Sequence, residues 1–277
     1  MQNLGSYLSR VHEMHPLIHN ITNYVTVHDV ANVEIAAGAS PVMTDGALDD
    51  VRDMARLVSG LNINIGTPRQ SYEEVCMAAL NSAAETGAVI VLDPVGAGAT
   101  AYRSELSKKL LETGKLTAVK GNISEIGALF GGQGNTQGVD ADLAESVHEE
   151  NIDEVAKKLQ AYAAQYNLII VATGAIDLIV DAKQAYAVYN GTPMQSEITG
   201  AGCMLSGILT SYLAANKDDM LAAALAAVCM FGIAGERAEQ LMLEYGRGNA
   251  SFSNYLIDEV YLMDAERLDD NADFEQR

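Results

Sequence analysis

The stretch Val89-Ile90-Val91-Leu92-Asp93-Pro94-Val95-Gly96-Ala97-Gly98 decides the fold. Consecutive apolar residues without polar alternation predict a strand over 88–92 that is buried on both faces, as strands of parallel sheets are. A carboxylate, a proline and two glycines then end it. The same grammar recurs outward from this stretch. β-rich runs lie at 17–22, 40–43, 61–65, 116–119 and 168–172, with helical periodicity between them at 47–58, 71–85, 104–112 and 152–166. Such alternation predicts an α/β fold with a mostly parallel central sheet and helices on both faces. A hairpin from 178–180 to 185–189 is expected to extend the sheet, and the tail 264–277 reads as a short helix end that frays.

With 277 residues, 49% of them hydrophobic, the chain reads as a single domain over 1–277 with a sizeable core. A net charge of −20 opposes a broad nucleic-acid footprint or binding to an anionic membrane surface. A nucleotide is still within reach, because a local nest of amides and one magnesium ion outweigh charges that salt screens beyond about 10 Å. Cys76, Cys203 and Cys229 show no CxxC spacing, so neither a disulfide framework nor a zinc site is expected, and a reducing cytoplasm fits. The first residues lack the basic start and apolar run of a signal peptide. The longest apolar stretch, 220–234, falls short of the ~20 residues of a membrane span and reads as a buried helix capped by Asp218 or Asp219. The glycine-rich and then acidic segment 131–154 reads as a solvated surface insertion.

In open α/β sheets ligands sit beyond the carboxyl ends of the strands. Those ends carry His19, Asn20 and Asn23, then Met43, Asp93, Lys120-Gly121-Asn122 with Glu125, and Thr173-Gly174. Further on, Thr199-Gly200-Ala201-Gly202-Cys203 runs into a small-residue, Leu-rich helical pattern. A helix starting there aims free backbone N–H groups outward and binds anions. Cys203 at its mouth is expected to have a lowered thiol pKa. Phosphoryl transfer needs a metal on the phosphates, donors for the developing charge, a positioned acceptor and a grip on the nucleotide. No Walker A motif is present, so the amides of Gly200, Ala201, Gly202 and Cys203 are the catalytic candidates. Asp93 and Glu125 are the candidate Mg2+ carboxylates, with Asn122 able to support the hydration shell. Taken singly, Asp93 before Pro94 also reads as a turn residue, and Asn122 as the N-cap of a helix whose first turn holds Glu125. His12, His15, His19 and His28 cluster near the N-terminus, but Pro16 interrupts any shared helix and separate roles are expected.

Five blocks in order, namely Asn20-Ile21-Thr22-Asn23, Pro41-Val42-Met43, Asp93 to Thr100, Lys120 to Ile126 and Thr199 to Cys203, resemble those of the hydroxyethylthiazole kinase family, within the ribokinase-like superfamily. The resemblance is collinear from about residue 15 to 255, and the insertion at 131–154 looks longer than the family's usual loop. It implies a ribokinase-like fold. It also implies a phosphotransferase that moves the γ-phosphate of ATP to the primary alcohol of 4-methyl-5-(2-hydroxyethyl)thiazole in thiamine biosynthesis and salvage. A homotrimer with active sites between subunits is implied as well. Position by position, Met43 is implied to touch the thiazole, Gly200 its hydroxyethyl arm, and Asn23 with Val25 to line the thiazole pocket. Lys120 and Thr173 are implied to bind ATP with Asn122 beside them, and Asp93 and Glu125 to hold Mg2+ and phosphate. The wider superfamily generally carries aspartate where this chain and the thiazole kinases carry cysteine. Cys203 is therefore expected mainly to position the hydroxyl, with proton removal late and modest. A kinase for another heterocyclic alcohol, such as hydroxymethylpyrimidine, ranks second, and a non-catalytic thiazole or nucleotide sensor third.

Overall fold

In the computed structural model, residues 3–131 and 147–277 are described. Most of the expected insertion at 131–154 lies outside them. Among the described residues the strands β1 (Leu17–Ile21), β2 (Ser40–Met43), β3 (Gly60–Asn64), β4 (Val89–Asp93), β5 (Ala118–Asn122), β6 (Ile169–Thr173), β7 (Asp177–Val180), β8 (Ala185–Val188) and β9 (Phe274–Gln276) form one sheet. Its order is β2-β1-β3-β4-β5-β6-β7-β8-β9. The pairs from β2 through β6 are parallel, and those from β6 through β9 antiparallel.

Period-two alternation explains why the apolar runs show no polar face: each strand feeds two cores. Val89 and Val91 pack in one core, and Ile90 and Leu92 in the other; Ile169 and Val171 divide from Ile170 and Ala172 in the same way. The first core lies under α1 (Gly5–Met14), α2 (Val27–Ala36), α8 (Ala201–Ala215), α9 (Met220–Glu244), α10 (Asn249–Tyr261) and α11 (Ala265–Asn271). The second lies under α3 (Leu48–Leu57), α4 (Tyr72–Glu85), α5 (Ala101–Glu112), α6 (Ile123–Phe130) and α7 (Ile152–Tyr166). The same alternation carries Asn20, Asn62, Asn64, Asp93, Lys120 and Thr173 to the face that α8 covers.

Three expectations change. The apolar run 220–234 continues as one helix to Glu244, because Glu236, Arg237 and Glu239 end the apolar composition without ending the helix. At 25 residues α9 is long and apolar enough to cross a membrane, yet 83% of its most apolar window is buried inside this chain. Its cap is Asp219, which accepts from the Ala222 amide. The tail does not fray: after α11 it returns as β9, and the Arg277 amide donates to the Ala185 carbonyl at 2.8 Å. This antiparallel pairing covers the backbone edge that β8 would otherwise present. Finally, β5 runs past 119 to Asn122 and takes Lys120 into the sheet, where a buried partner balances its charge.

Candidate active site

The carboxyl ends of β3, β4 and β5 bring Asn64, Asp93 and Lys120 side by side beneath the first turn of α8. Asn64 and Asp93 are register partners on adjacent parallel strands. Asp93 is fully buried, and its Oδ2 accepts from Ser206 Oγ at 2.7 Å, Asn64 Nδ2 at 2.9 Å and Lys120 Nζ at 3.3 Å. Its Oδ1 has no partner among the described residues. Burial works against the Lys120 ammonium, but the charges of Asp93, Cys203 and Glu125 outweigh it and hold its pKa above the usual value. Lys120 therefore stays charged in the core, where an unpaired ammonium would not survive. Lys120 Nζ also donates to the Gly202 carbonyl at 2.9 Å. A side chain at Gly202 would meet that ammonium at 3.1 Å, so this position stays small.

Gly200 begins α8 with a φ of +91°, a backbone state that disfavours other residues. A Cβ there would also lie 2.6 Å from Thr26 Cγ2, on the turn in which the Thr26 amide donates to the Asn23 carbonyl. The first helical bond runs from the Met204 amide to the Gly200 carbonyl, so the amides of Ala201, Gly202 and Cys203 precede the helical ladder and point outward. Cys203 is buried, and its sulfur accepts from Asn64 Nδ2 at 3.2 Å and Asn23 Nδ2 at 3.3 Å. The expected fall of its pKa is overturned. Burial and then the Asp93 charge push the thiol up, against a smaller downward pull from Lys120.

Asn122 and Glu125 form a reciprocal capping box at the start of α6. Glu125 Oε2 accepts from the Asn122 amide at 3.0 Å, and its Oε1 from the Gly96 amide at 2.8 Å in the turn after β4. The capping reading of these residues thus holds, and the capped carboxylate lies against the turn after β4. On the other flank of α8, Asn122, Thr173, Gly174, Ala201, Gly202 and Phe231 are among the residues lining a cleft of about 530 Å3. It is polar at the strand ends and apolar towards α9. Such a cleft suits a nucleotide whose phosphates rest on the start of α8.

A model of the hydroxyethylthiazole kinase family matches residues 8–266. The chain belongs to the hydroxyethylthiazole kinase family. It is 46% identical over 272 residues to the hydroxyethylthiazole kinase of Clostridium acetobutylicum, covering 98% of this chain and 99% of that one. It is 41% identical over 266 residues to the enzyme of that name from Clostridium tetani, covering 96% and 94%. The solved structure of the hydroxyethylthiazole kinase protein from Pyrococcus horikoshii OT3 superposes with a TM-score of 0.87 at 34% identity, over the whole of both chains.

Against this family frame, the structure brings Asn23, Asp93, Lys120, Gly200, Ala201, Gly202 and Cys203 into one cluster, with Asn122, Glu125 and Thr173 beside it. Met43 ends β2 as the register partner of Asn20, half-buried. Val25 stands apart, 53% exposed next to an exposed Tyr24. His12 and His15 stay neighbours beside Gly38, whose carbonyl meets His15 Nδ1, whereas His19 Nε2 meets the Thr44 carbonyl and His28 contacts Asn32. Sequence reasoning missed Asn64 and Ser206. It also missed the buried chain in which Asn62 donates to Asn20 and Asn20 to Glu34. The alternation Leu61-Asn62-Ile63-Asn64 is the signal that reveals two of them, since a polar residue at every second position marks one face of a strand.

Proposed function

We infer that this chain transfers the γ-phosphate of ATP to the primary hydroxyl of 4-methyl-5-(2-hydroxyethyl)thiazole. Family membership supports the substrate. The observation that carries the chemistry is the outward-facing amide turn of Ala201, Gly202 and Cys203 seated on the buried Asp93 and Lys120 pair. As the hydroxyl oxygen bonds to the γ-phosphorus, the bond to the bridging oxygen breaks and ADP leaves with that electron pair, while the hydroxyl proton passes late in the step to an oxygen of the transferred phosphoryl group. The helix-start amides and the Lys120 ammonium meet the charge that the phosphoryl oxygens carry through this step. Thr173 and Asn122 grip the nucleotide, while Met43, Asn23 and Gly200 take the thiazole and its arm. Cys203, whose sulfur already accepts two amide hydrogens, positions the hydroxyl.

Asp93 Oδ1, buried and without a hydrogen-bond partner among the described residues, could ligate a metal or accept from its water, so these residues fit Mg2+. Asp93 and Glu125 would hold it, and bound there it would supply positive charge against the phosphates. The exposed Tyr24 and Val25 beside the buried Asn23 support a homotrimer in which a neighbouring copy closes the thiazole end. Free, buried Cys76, Cys203 and Cys229 support a reducing cytoplasm.

The test is ADP release with Mg-ATP, comparing the thiazole alcohol with hydroxymethylpyrimidine, with Asp93→Ala as the blank. Thiazole-dependent release that disappears in the variant is the expected result. Release with the pyrimidine alone reassigns the chain to that alcohol, and thiazole binding with no release at all makes it a sensor.

A further inference from the structure

Asn64 has no assigned role, yet it uses all the hydrogen-bonding capacity of its side chain inside the site. It is fully buried at the last position of β3. One amide hydrogen goes to Asp93 Oδ2 at 2.9 Å and the other to Cys203 Sγ at 3.2 Å. Its Oδ1 accepts from the Gly66 amide at 2.9 Å and from Asn23 Nδ2 at 3.2 Å. A side-chain amide offers two donors and two lone pairs, so none is left over. The orientation is also fixed: turned over, the group would set its oxygen against the Asp93 carboxylate and its NH2 against the Gly66 N–H. The backbone is anchored too, because the Tyr72 hydroxyl on α4 donates to the Asn64 carbonyl at 2.6 Å.

We propose that Asn64 is a positioning residue for the transfer: through a single planar amide it fixes the Cys203 sulfur on the acceptor side against the Asp93 carboxylate on the phosphate side. This rests on the kinase reading above. Neither Cys203 nor Asp93 reaches the other directly. Cys203 arrives on α8 and Asp93 on β4, elements that Ser206 and Lys120 already tie together at Asp93, and Asn64 on β3 adds the link that runs from Asp93 to the Cys203 sulfur itself. In-line transfer depends steeply on such spacing, and a displacement of about 1 Å can cost on the order of 100-fold in rate.

The experiment is a steady-state comparison of Asn64→Ala, Asn64→Asp and a double-mutant cycle with Cys203→Ala, each variant checked by its melting temperature. Asn64→Asp keeps the acceptors for Gly66 and Asn23 and, holding a proton against the buried Asp93 carboxylate, loses the donor to Cys203. We expect both single variants to lose on the order of 10- to 100-fold in kcat with KM for either substrate changed less than about threefold. In the Cys203→Ala background the loss from Asn64→Ala should shrink well below its value in the wild type. Wild-type kcat in Asn64→Asp, or an undiminished loss in the Cys203→Ala background, overturns the proposal. Asn64→Ser takes the place of the alanine variant if that one fails to fold. A wild-type chain with no thiazole-dependent ADP release overturns only the kinase reading. The cycle is then read on melting temperatures, where additive shifts overturn the Asn64 link to Cys203 and non-additive shifts support it.

Discussion

Lys120 shows how one residue couples stability to chemistry. Its ammonium and the Asp93 carboxylate are both almost wholly buried, 3.3 Å apart. Removing one partner leaves a buried charge without its counterion, so Lys120→Met should destabilise the chain by about 3 to 5 kcal/mol. Urea unfolding measures this, and part of the loss should return in the Asp93→Asn, Lys120→Met double variant. Cys203→Ser should keep KM for both substrates and retain measurable turnover, because the sulfur is held as a hydrogen-bond acceptor and its thiol pKa is raised; normal binding with turnover at the Asp93→Ala blank contradicts this. Glu34, fully buried against α8, has its carboxyl pushed by burial from 4.5 to about 8. The folded chain therefore keeps a proton that the unfolded chain releases in this window. Stability from this proton is complete below about pH 4.5 and lost as pH rises towards 8, at up to about 1.4 kcal/mol per pH unit. Glu34→Gln keeps a neutral side chain at every pH, so its melting temperature should match the wild type near pH 5 and exceed it near pH 9. At this scale the sequence made Asp93, Lys120 and Cys203 legible, because strand ends and a glycine-led helix start mark them. Asn64 was legible only as a polar residue on one face of a strand, and only the packing of α8 shows what its amide joins.

The elements that carry the site were legible where composition and burial agree. β4 and β6 are continuous apolar runs because both of their faces feed cores, and the Gly200–Cys203 segment does start α8. The pattern was silent for β9, where Phe274-Glu275-Gln276 has neither alternation nor an apolar run, and where pairing with β8 is decided by distant sequence. It was equally silent at the end of β5, because a lysine in a strand reads as solvent-facing until Asp93 is placed beside it. Gly200 tests the most consequential of these boundaries. Its φ of +91° and the approach of Thr26 leave no room for a methyl group. Gly200→Ala should shift the first turn of α8, lowering kcat at least tenfold, with a stability cost of about 1 to 3 kcal/mol. Steady-state kinetics beside a melting curve distinguish this from global unfolding, since a chain that melts normally but turns over slowly has lost the placement of its amides.

For the whole molecule, the two ends of the site differ in how well this single chain encloses them. The proposed nucleotide end has a cleft walled by β6, α8 and α9. The proposed thiazole end passes from the buried Asn23 directly to Tyr24 and Val25, which are 68% and 53% exposed. A flat heteroaromatic substrate needs apolar walls to leave water, and two exposed apolar side chains at its entrance are the edge that a second copy would cover. No periodicity marks such an edge, which is why the proposed trimer comes from the family resemblance and not from the pattern of residues. If the proposed trimer builds the thiazole site, activity and association must fall together. Each chain carries a net charge of −20, so copies repel one another and added salt, by screening, should strengthen assembly at low protein concentration. Val25→Asp places a further carboxylate in the apolar edge. Sedimentation velocity should then show single chains in place of a trimer, with KM for the thiazole alcohol raised at least tenfold and ATP binding little changed, because the cleft beside α8 needs no partner. A verified monomer with wild-type KM for the alcohol would show that one chain closes its own thiazole site, and would leave Tyr24 and Val25 as ordinary exposed side chains.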